Sequence, residues 1–361
     1  MSKKYQNIYN LLCQDIKNNV FRDGDKLPSE SEMMEAYNVG RQTVRRVLAL
    51  LEEEGLIRKV RGSGSFVQIK RPFLDTKRIA VIFFNIKTSV FPIIMQRIDD
   101  ALYLNGYTTS FYSTGGSLQK ERFILQQMID SPVDGIVMHA TYAPLCTNMD
   151  LIRELQSLGT KILFLESWYA NTELAQVPTV SVENYDGPYK ITEYLIRHGH
   201  KRIGGFSISA SLSHIARYAG ICNALLRNQV EFNTEWFFNV AYNDDASLIK
   251  SRLAVDVLHS LDAFICPSAT LIEPLLEFLK QYGCGNIRTV VIFDEVSVPS
   301  IDGVEFIILQ HPSLKLAQIC AEAILALING QEVSSVQIPW MLSALSTAKE
   351  LPDAFPKPEP G

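Results

Sequence analysis

The sequence predicts a multidomain chain: a small α+β domain of three helices and a hairpin, followed by an α/β body of two lobes, each a doubly wound parallel sheet. Three observations predict this. The first 69 residues pass from helical periodicity to two short alternating segments around glycines. From Arg78 onward, short apolar strands alternate regularly with amphipathic stretches. About ten strands in roughly 270 residues are better split between two lobes than packed as one sheet. The boundaries expected are 1–69 for the head, 70–77 for a linker, 78–350 for the body and 351–361 for a Pro-rich tail.

The head is read element by element. Residues 4–19 place Ile8, Leu11, Leu12, Ile16 and Val20 near helical spacing, which predicts one apolar face, and Gly24 ends the element. Ser29-Glu-Ser-Glu32 is a capping box: the Ser hydroxyl and the Glu carboxylate satisfy each other's backbone N–H groups. A helix over about 30–37 follows, with Met33, Met34 and Tyr37 inward. Asn38-Val-Gly40 is a tight turn with Gly40 at the next N-cap. The third helix runs from Arg41 to about Gly55 and buries Val44, Val47, Leu48 and Leu51, with Gly55 as its stop. Leu56–Val60 and Ser65–Ile69 then alternate as strands around Arg61-Gly-Ser-Gly64.

That order is a winged helix-turn-helix, whose third helix can enter a DNA major groove. Arg41, Gln42, Thr43 and Arg45 stand at its N-terminus. Arg41 and Arg45 share a face, and Arg and Gln can pair bidentately with guanine and adenine. Charge agrees: residues 1–71 carry 13 Lys+Arg against 9 Asp+Glu, whereas the whole chain is at −5. A basic head on an acidic body is expected where one end meets phosphate. The candidate DNA contacts are Ser29, Glu30, Arg41, Gln42, Thr43, Arg45, Arg46, Lys59, Arg61, Gly62 and Ser63.

In Leu27-Pro-Ser-Glu-Ser-Glu32, Val39-Gly-Arg-Gln-Thr-Val-Arg45, Leu51-Glu-Glu-Glu-Gly-Leu-Ile57 and Gly62-Ser-Gly-Ser-Phe-Val67 the head resembles the GntR-type bacterial regulators. The resemblance implies that Glu30, Arg41, Arg45 and Gly62 work at the DNA. Gly40 departs from it, since that family usually has Ser there.

In the body, strands are expected at Ile79–Phe84, Thr108–Tyr112, Gly135–Met138, Lys161–Leu165, Thr179–Val182, Arg202–Phe206, Phe237–Val240, Ala263–Cys266, Thr289–Phe293 and Glu305–Leu309. Helices are expected near 92–105, 119–130, 148–158, 186–198, 214–228, 246–259, 270–282 and 313–329. Ligands of such sheets bind beyond the C-terminal strand ends. Those ends carry Phe91, His139, Tyr142, Glu166, Trp168, Tyr169, Glu183, Asn184, Arg217 and Asp294. Aromatic faces cover the C–H patches of a polyhydroxylated ligand, while charged groups hydrogen-bond its hydroxyls.

Val133-Asp-Gly-Ile-Val137, Val182-Glu-Asn-Tyr-Asp-Gly187, Tyr194 to Ile203, Arg217-Tyr-Ala-Gly220 and Val291-Ile-Phe-Asp-Glu295 make the body similar to the LacI/GalR-type effector domain and to periplasmic sugar-binding proteins. A GntR-type head on such a body is the arrangement of the AraR-type arabinose repressors. The resemblance implies that Arg217 and Asp294 hold sugar hydroxyls and that Glu166 and Gln310 face the cleft. Where the family commonly has Asn-Asp, this chain has Ser268-Ala269, so Ser268 is the remaining candidate there.

The expectation is a DNA-binding transcriptional repressor of carbohydrate-utilisation genes, released from its operator when L-arabinose or another mono- or oligosaccharide binds. Its partners would be a near-palindromic operator, the sugar and a second copy of itself, in the cytoplasm, with no membrane, cofactor or metal. The alternatives are an activator with the same sugar-binding body and a carbohydrate-modifying enzyme. For an enzyme, no Gly-x-Gly-x-x-Gly, Walker-type loop or Gly-x-Ser-x-Gly elbow is present. Six scattered cysteines without a Cys-x-x-Cys pair predict reduced thiols, and no signal-peptide-like apolar core opens the chain.

Overall fold

A computed structural model describes the chain except positions 1–2, 18–19, 22–23, 61–62, 68–74, 86–89, 144–146, 170–176, 210, 242–243, 295, 344, 349–351 and 357–361. It divides into two compact units, Met1–Phe73 and Leu74–Gly361.

The first unit has helices α1 (Lys3–Lys17), α2 (Glu30–Tyr37) and α3 (Arg41–Glu53), then an antiparallel hairpin of β1 (Ile57–Val60) and β2 (Gly64–Val67). Ile8, Leu12, Ile16, Met33, Val44, Val47, Leu48 and Leu51 form its core. Leu11 and Val20 are exposed, which narrows the α1 stripe expected from sequence. Three-helix packing needs only one seam of a helix, and residue 20 lies beyond its end. The capping box at Ser29 and Glu32 is formed on both sides. Segment 24–27 lies along β2 through Leu27 N–H to Ser65 O and Val67 N–H to Asp25 O, a third wing segment with no strand-like pattern of its own.

The second unit holds two six-stranded sheets. In one, β13-β7-β6-β5-β3-β4 (Val336–Ile338, Thr179–Val182, Lys161–Leu165, Gly135–Met138, Arg78–Phe83 and Thr108–Ser113) are all parallel. In the other, β14-β12-β11-β10-β8-β9 (Met341–Leu342, Glu305–Gln310, Thr289–Phe293, Ala263–Cys266, Ile203–Ile208 and Phe237–Val240) are parallel apart from β14. Alternation explains the layers: Ile79, Val81 and Phe83 enter one core while Ala80 and Ile82 enter the core on the other face.

The helices of the body are α4 (Phe91–Leu104), α5 (Leu118–Asp130), α6 (Met149–Ser157), α7 (Asp186–Arg197), α8 (Leu212–Arg227), α9 (Ala246–Arg252), α10 (Val255–Ser260), α11 (Ile272–Tyr282) and α12 (Ser313–Ile328). The single helix expected at 246–259 is two. Leu253 is extended and buried, and Arg252 is drawn back to Asp244 and to the Asn239 carbonyl.

The lobes are interleaved, which the order of periodic segments did not reveal. After β12 the chain returns to the first lobe, where α12 packs on α4 and β6, and adds β13 before β14 re-enters the second sheet. The chain therefore crosses between lobes three times, around 183–185, 311–312 and 339–340. The tail is neither helix nor strand over 352–356, yet it docks: Pro352 and Phe355 are buried and Leu342 N–H donates to Pro356 O.

The last described linker residues are fixed to the first lobe. The buried Asp134 carboxylate accepts from Thr76 N–H (2.8 Å), Thr76 Oγ (2.6 Å) and Lys77 N–H (3.1 Å). Asp134→Ala should cost about 1–3 kcal/mol, because three donors lose a charged acceptor. Urea unfolding of the full chain measures it, and Asp134→Asn should recover part of the loss.

Candidate functional site

Two surfaces carry the candidate residues. On the head, α3 starts at Gly40, an extended N-cap without a capping side chain. Its first turns expose Arg41, Gln42, Arg45 and Arg46, while Thr43 is half-buried. Glu30, in the first turn of α2, accepts from Arg45 Nε at 3.0 and 3.1 Å and lies 3.7 Å from Arg41 Nε. At this exposure the pairs add little stability. Their effect is orientation: both guanidiniums are held on one face by their inner nitrogens. Arg46 lies 4.5 Å over the Tyr5 ring of α1, and Lys59 pairs with Glu52 at 2.6 Å. Ser29 is engaged in its cap, and Ser63 is exposed at the hairpin turn with its N–H on Val60 O. Arg61 and Gly62 lie outside the described residues.

In the body, two acids follow strand ends in left-handed backbone: Glu166 after β6 at φ 62° and Asp294 after β11 at φ 74°. Such conformations cost of order 1–3 kcal/mol each and concentrate at functional sites. Glu166 is buried; its carbonyl accepts from Ser213 Oγ of α8 at 3.0 Å, and its Oε1 is 3.4 Å from His311 Nε2 without hydrogen-bond alignment. Arg217, buried on α8, donates Nε to Asn184 Oδ1 at 2.9 Å and Nη1 to the Pro267 carbonyl. Its guanidinium is 4.7 Å from the Trp340 ring and 5.5 Å from Phe293. On the first-lobe side, the His139 ring stands edge-on to Phe91 at 5.9 Å and near Phe84 at 6.0 Å. Its Nδ1 is shielded from solvent and makes no hydrogen bond among the described residues.

The other candidates are placed as follows. The Ser268 hydroxyl is already 3.0 Å from that of Thr270. Glu183 is 3.9 Å from Lys190, and Gln310 ends β12 opposite Met341. Tyr142 is half-buried, and Trp168 packs against the core on the outer face of the first sheet. Tyr169 belongs to that core, its hydroxyl on Glu121. Fully buried Glu121 also accepts from Thr141 N–H (2.6 Å) and Asn148 Nδ2 (2.8 Å), tying down the segments after β5 and β6.

Sequence reasoning missed His214, His311, Phe84 and Trp340. His214 lies three residues before Arg217 on one helix face, and His311 follows directly on a strand end, so the same rules could have found both. Trp340 gave no such signal, because it sits between two very short strands.

Burial would raise the Glu166 carboxyl, but His311 and Arg217 outweigh it and hold it below the usual carboxylate range. Burial, then Arg217 and His139, keeps His214 well below an ordinary histidine. Burial pushes His139 down to about 4, partly opposed by Glu166. A buried carboxylate thus lies near a buried guanidinium, with His139 and His214 both shifted toward the neutral form. The unfolded chain protonates His139 near 6.5 and the folded one near 4, so the unfolded chain binds more protons in between. Stability is therefore full above pH 6.5 and falls as pH drops toward 4. Urea midpoints between pH 7.5 and 4.5 should show this slope, and His139→Gln should remove part of it.

Residues 4–67 match the model of the bacterial regulatory proteins of the gntR family, and residues 76–350 that of the periplasmic binding proteins and sugar binding domain of the LacI family. An arabinose metabolism transcriptional repressor of Geobacillus stearothermophilus is 26% identical over 342 residues, 92% of this chain and 93% of that protein. Its counterpart in Halalkalibacterium halodurans is 24% identical, over 94% of this chain and 96% of that protein. Two solved structures share the fold. The transcriptional regulator CelR–cellobiose complex has TM-score 0.62 and 16% identity, over 89% of this chain and 100% of that one. A periplasmic binding protein/LacI transcriptional regulator from Alkaliphilus metalliredigens, complexed with D-xylulofuranose, has TM-score 0.59 and 17% identity, over 76% of this chain and 100% of that one. The chain is a transcriptional regulator and belongs to the family of periplasmic binding proteins and LacI-type sugar-binding domains, with a gntR-family DNA-binding domain in front.

Proposed function

We propose that this regulator is a cytoplasmic homodimeric repressor, without enzymatic turnover, that leaves a near-palindromic operator when an uncharged sugar fills the body cleft. The observation that carries the sugar is buried Arg217 with the Glu166 carboxylate nearby, and Asp294 next to Phe293, whose ring lies 5.5 Å from that guanidinium. A buried carboxylate beside that guanidinium favours a neutral polyol over a phosphate ester. Phe91 and His139 supply flat faces beside them. The relatives named as arabinose repressors make L-arabinose the first sugar to try. On the head, Glu30 presents Arg41 and Arg45 together, as readers of base edges need.

The homodimer draws support from α4. Ile93 and Leu104 are exposed at 46% and 82%, and with exposed Arg97 and Asp100 they form one stripe at helical spacing. A two-fold axis through the stripe's centre sets Ile93 against Leu104 and Arg97 against Asp100 of a second copy. Neither charge has an ion-pair partner among the described residues. Such self-complementarity is what an isologous contact requires.

Fluorescence anisotropy with palindromic fragments selected from random duplexes tests the function. L-arabinose or another neutral sugar should weaken DNA binding by roughly 5–150-fold. Arg217→Ala should keep the DNA affinity and lose the response. No response to any sugar, or conversion of the sugar by the protein, would overturn the proposal. In sedimentation velocity, Arg97→Asp should shift dimer toward monomer, and adding Asp100→Arg should restore the dimer; a double variant that stays monomeric would place the contact elsewhere.

A further inference from the structure

Trp340 sits on the third lobe crossing, between Ile338 of the first sheet and Met341 of the second. It is fully buried. Its ring meets the Arg217 guanidinium at 4.7 Å, Phe293 edge-on at 4.9 Å and His311 edge-on at 5.5 Å. Gly187, just past the first crossing, leaves room for it: a Cβ there would stand 2.7 Å from the indole Cδ1. Residues at or just past the other two crossings therefore meet this one side chain, and Phe293 directly precedes Asp294.

The residue type carries information. The indole N–H is buried with no hydrogen-bond partner among the described residues. An orphaned donor costs free energy that a phenylalanine would not incur. What tryptophan adds is the largest and most electron-rich face, the best cation partner of the three aromatics. The cation is Arg217, whose Nε–H and Nη1–H are taken by Asn184 and Pro267 and whose guanidinium carbon lies 4.7 Å from the centre of the indole ring.

We infer that Trp340 is a positioning residue for the sugar: its π face sets the plane of Arg217, and its place on the third crossing ties that plane to the relative rotation of the lobes. The inference rests on the sugar-binding reading proposed above. An Arg217 held in this way keeps its remaining N–H groups in one orientation before sugar arrives, so less ordering is left for the binding step.

Fluorinated tryptophans placed at position 340 alone by nonsense suppression test this in the full-length protein. Successive fluorines weaken the π face at nearly constant shape. Affinity for L-arabinose, measured by calorimetry, should fall steadily along the series, on the order of tenfold in total. The thermal midpoint and the sugar-free DNA affinity should stay level. An arabinose affinity that is flat, or that falls only in step with the thermal midpoint, would overturn the inference. A readout independent of the sugar accompanies it: the fluorine resonance of the substituted indole should move on Arg217→Gln, and an unmoved resonance would refute the stack. If the unsubstituted protein binds no L-arabinose, the proposed sugar fails, and the stack is still judged by that resonance.

Discussion

A guanidinium buried between two lobes is the constraint around which the body is arranged. A charge removed from water needs hydrogen bonds, an opposing charge or a polarisable face. Arg217 has an amide from Asn184, a carbonyl from Pro267, the Trp340 ring and the nearby Glu166 carboxylate. These come from the first crossing, from the end of β10, from the third crossing and from the first lobe. The proposed ligand site and the crossings between the lobes are therefore built from neighbouring residues.

The acids follow the same logic. Glu166 and Asp294 each leave a strand end in left-handed backbone at a cost in strain. The surrounding structure holds Glu166 there through Val180 on its N–H and Ser213 on its carbonyl, so the conformation is set before any ligand arrives. On the head, Glu30 has a comparable role at the surface, where its value is geometric, since solvent screens most of the Coulomb energy.

Much of this was legible in the sequence. Strands buried on both faces, such as Ile79 to Phe83, announce themselves as apolar runs, and the capping box at Ser29 marks α2 to the residue. His139, Glu166 and Asp294 stand just past strand ends in the structure, as the alternation of strands and helices placed them. What stayed hidden was non-local. Strands β13 and β14 have three and two residues and exist only because a sheet edge is there to pair with them. Trp340 therefore had no element to belong to. The break at Leu253 depends on contacts from Asp244 and Asn239, which no window of helical periodicity contains. Trp168 and Tyr169 look alike in sequence to residues that line a crevice, and only the carboxylate of Glu121 shows why Tyr169 turns into the core.

The interleaving of the lobes also governs when the body can form during synthesis. The first sheet lacks helix α12 and the edge strand β13 until residue 338 has emerged, although its other strands are complete by residue 182. The second lobe in turn waits for Leu342 and for Phe355. A nascent chain must hold two partly finished sheets with exposed apolar faces while some 150 residues are added, a period in which chaperone protection matters most. A chain arrested before residue 338 would present a body with neither sheet complete.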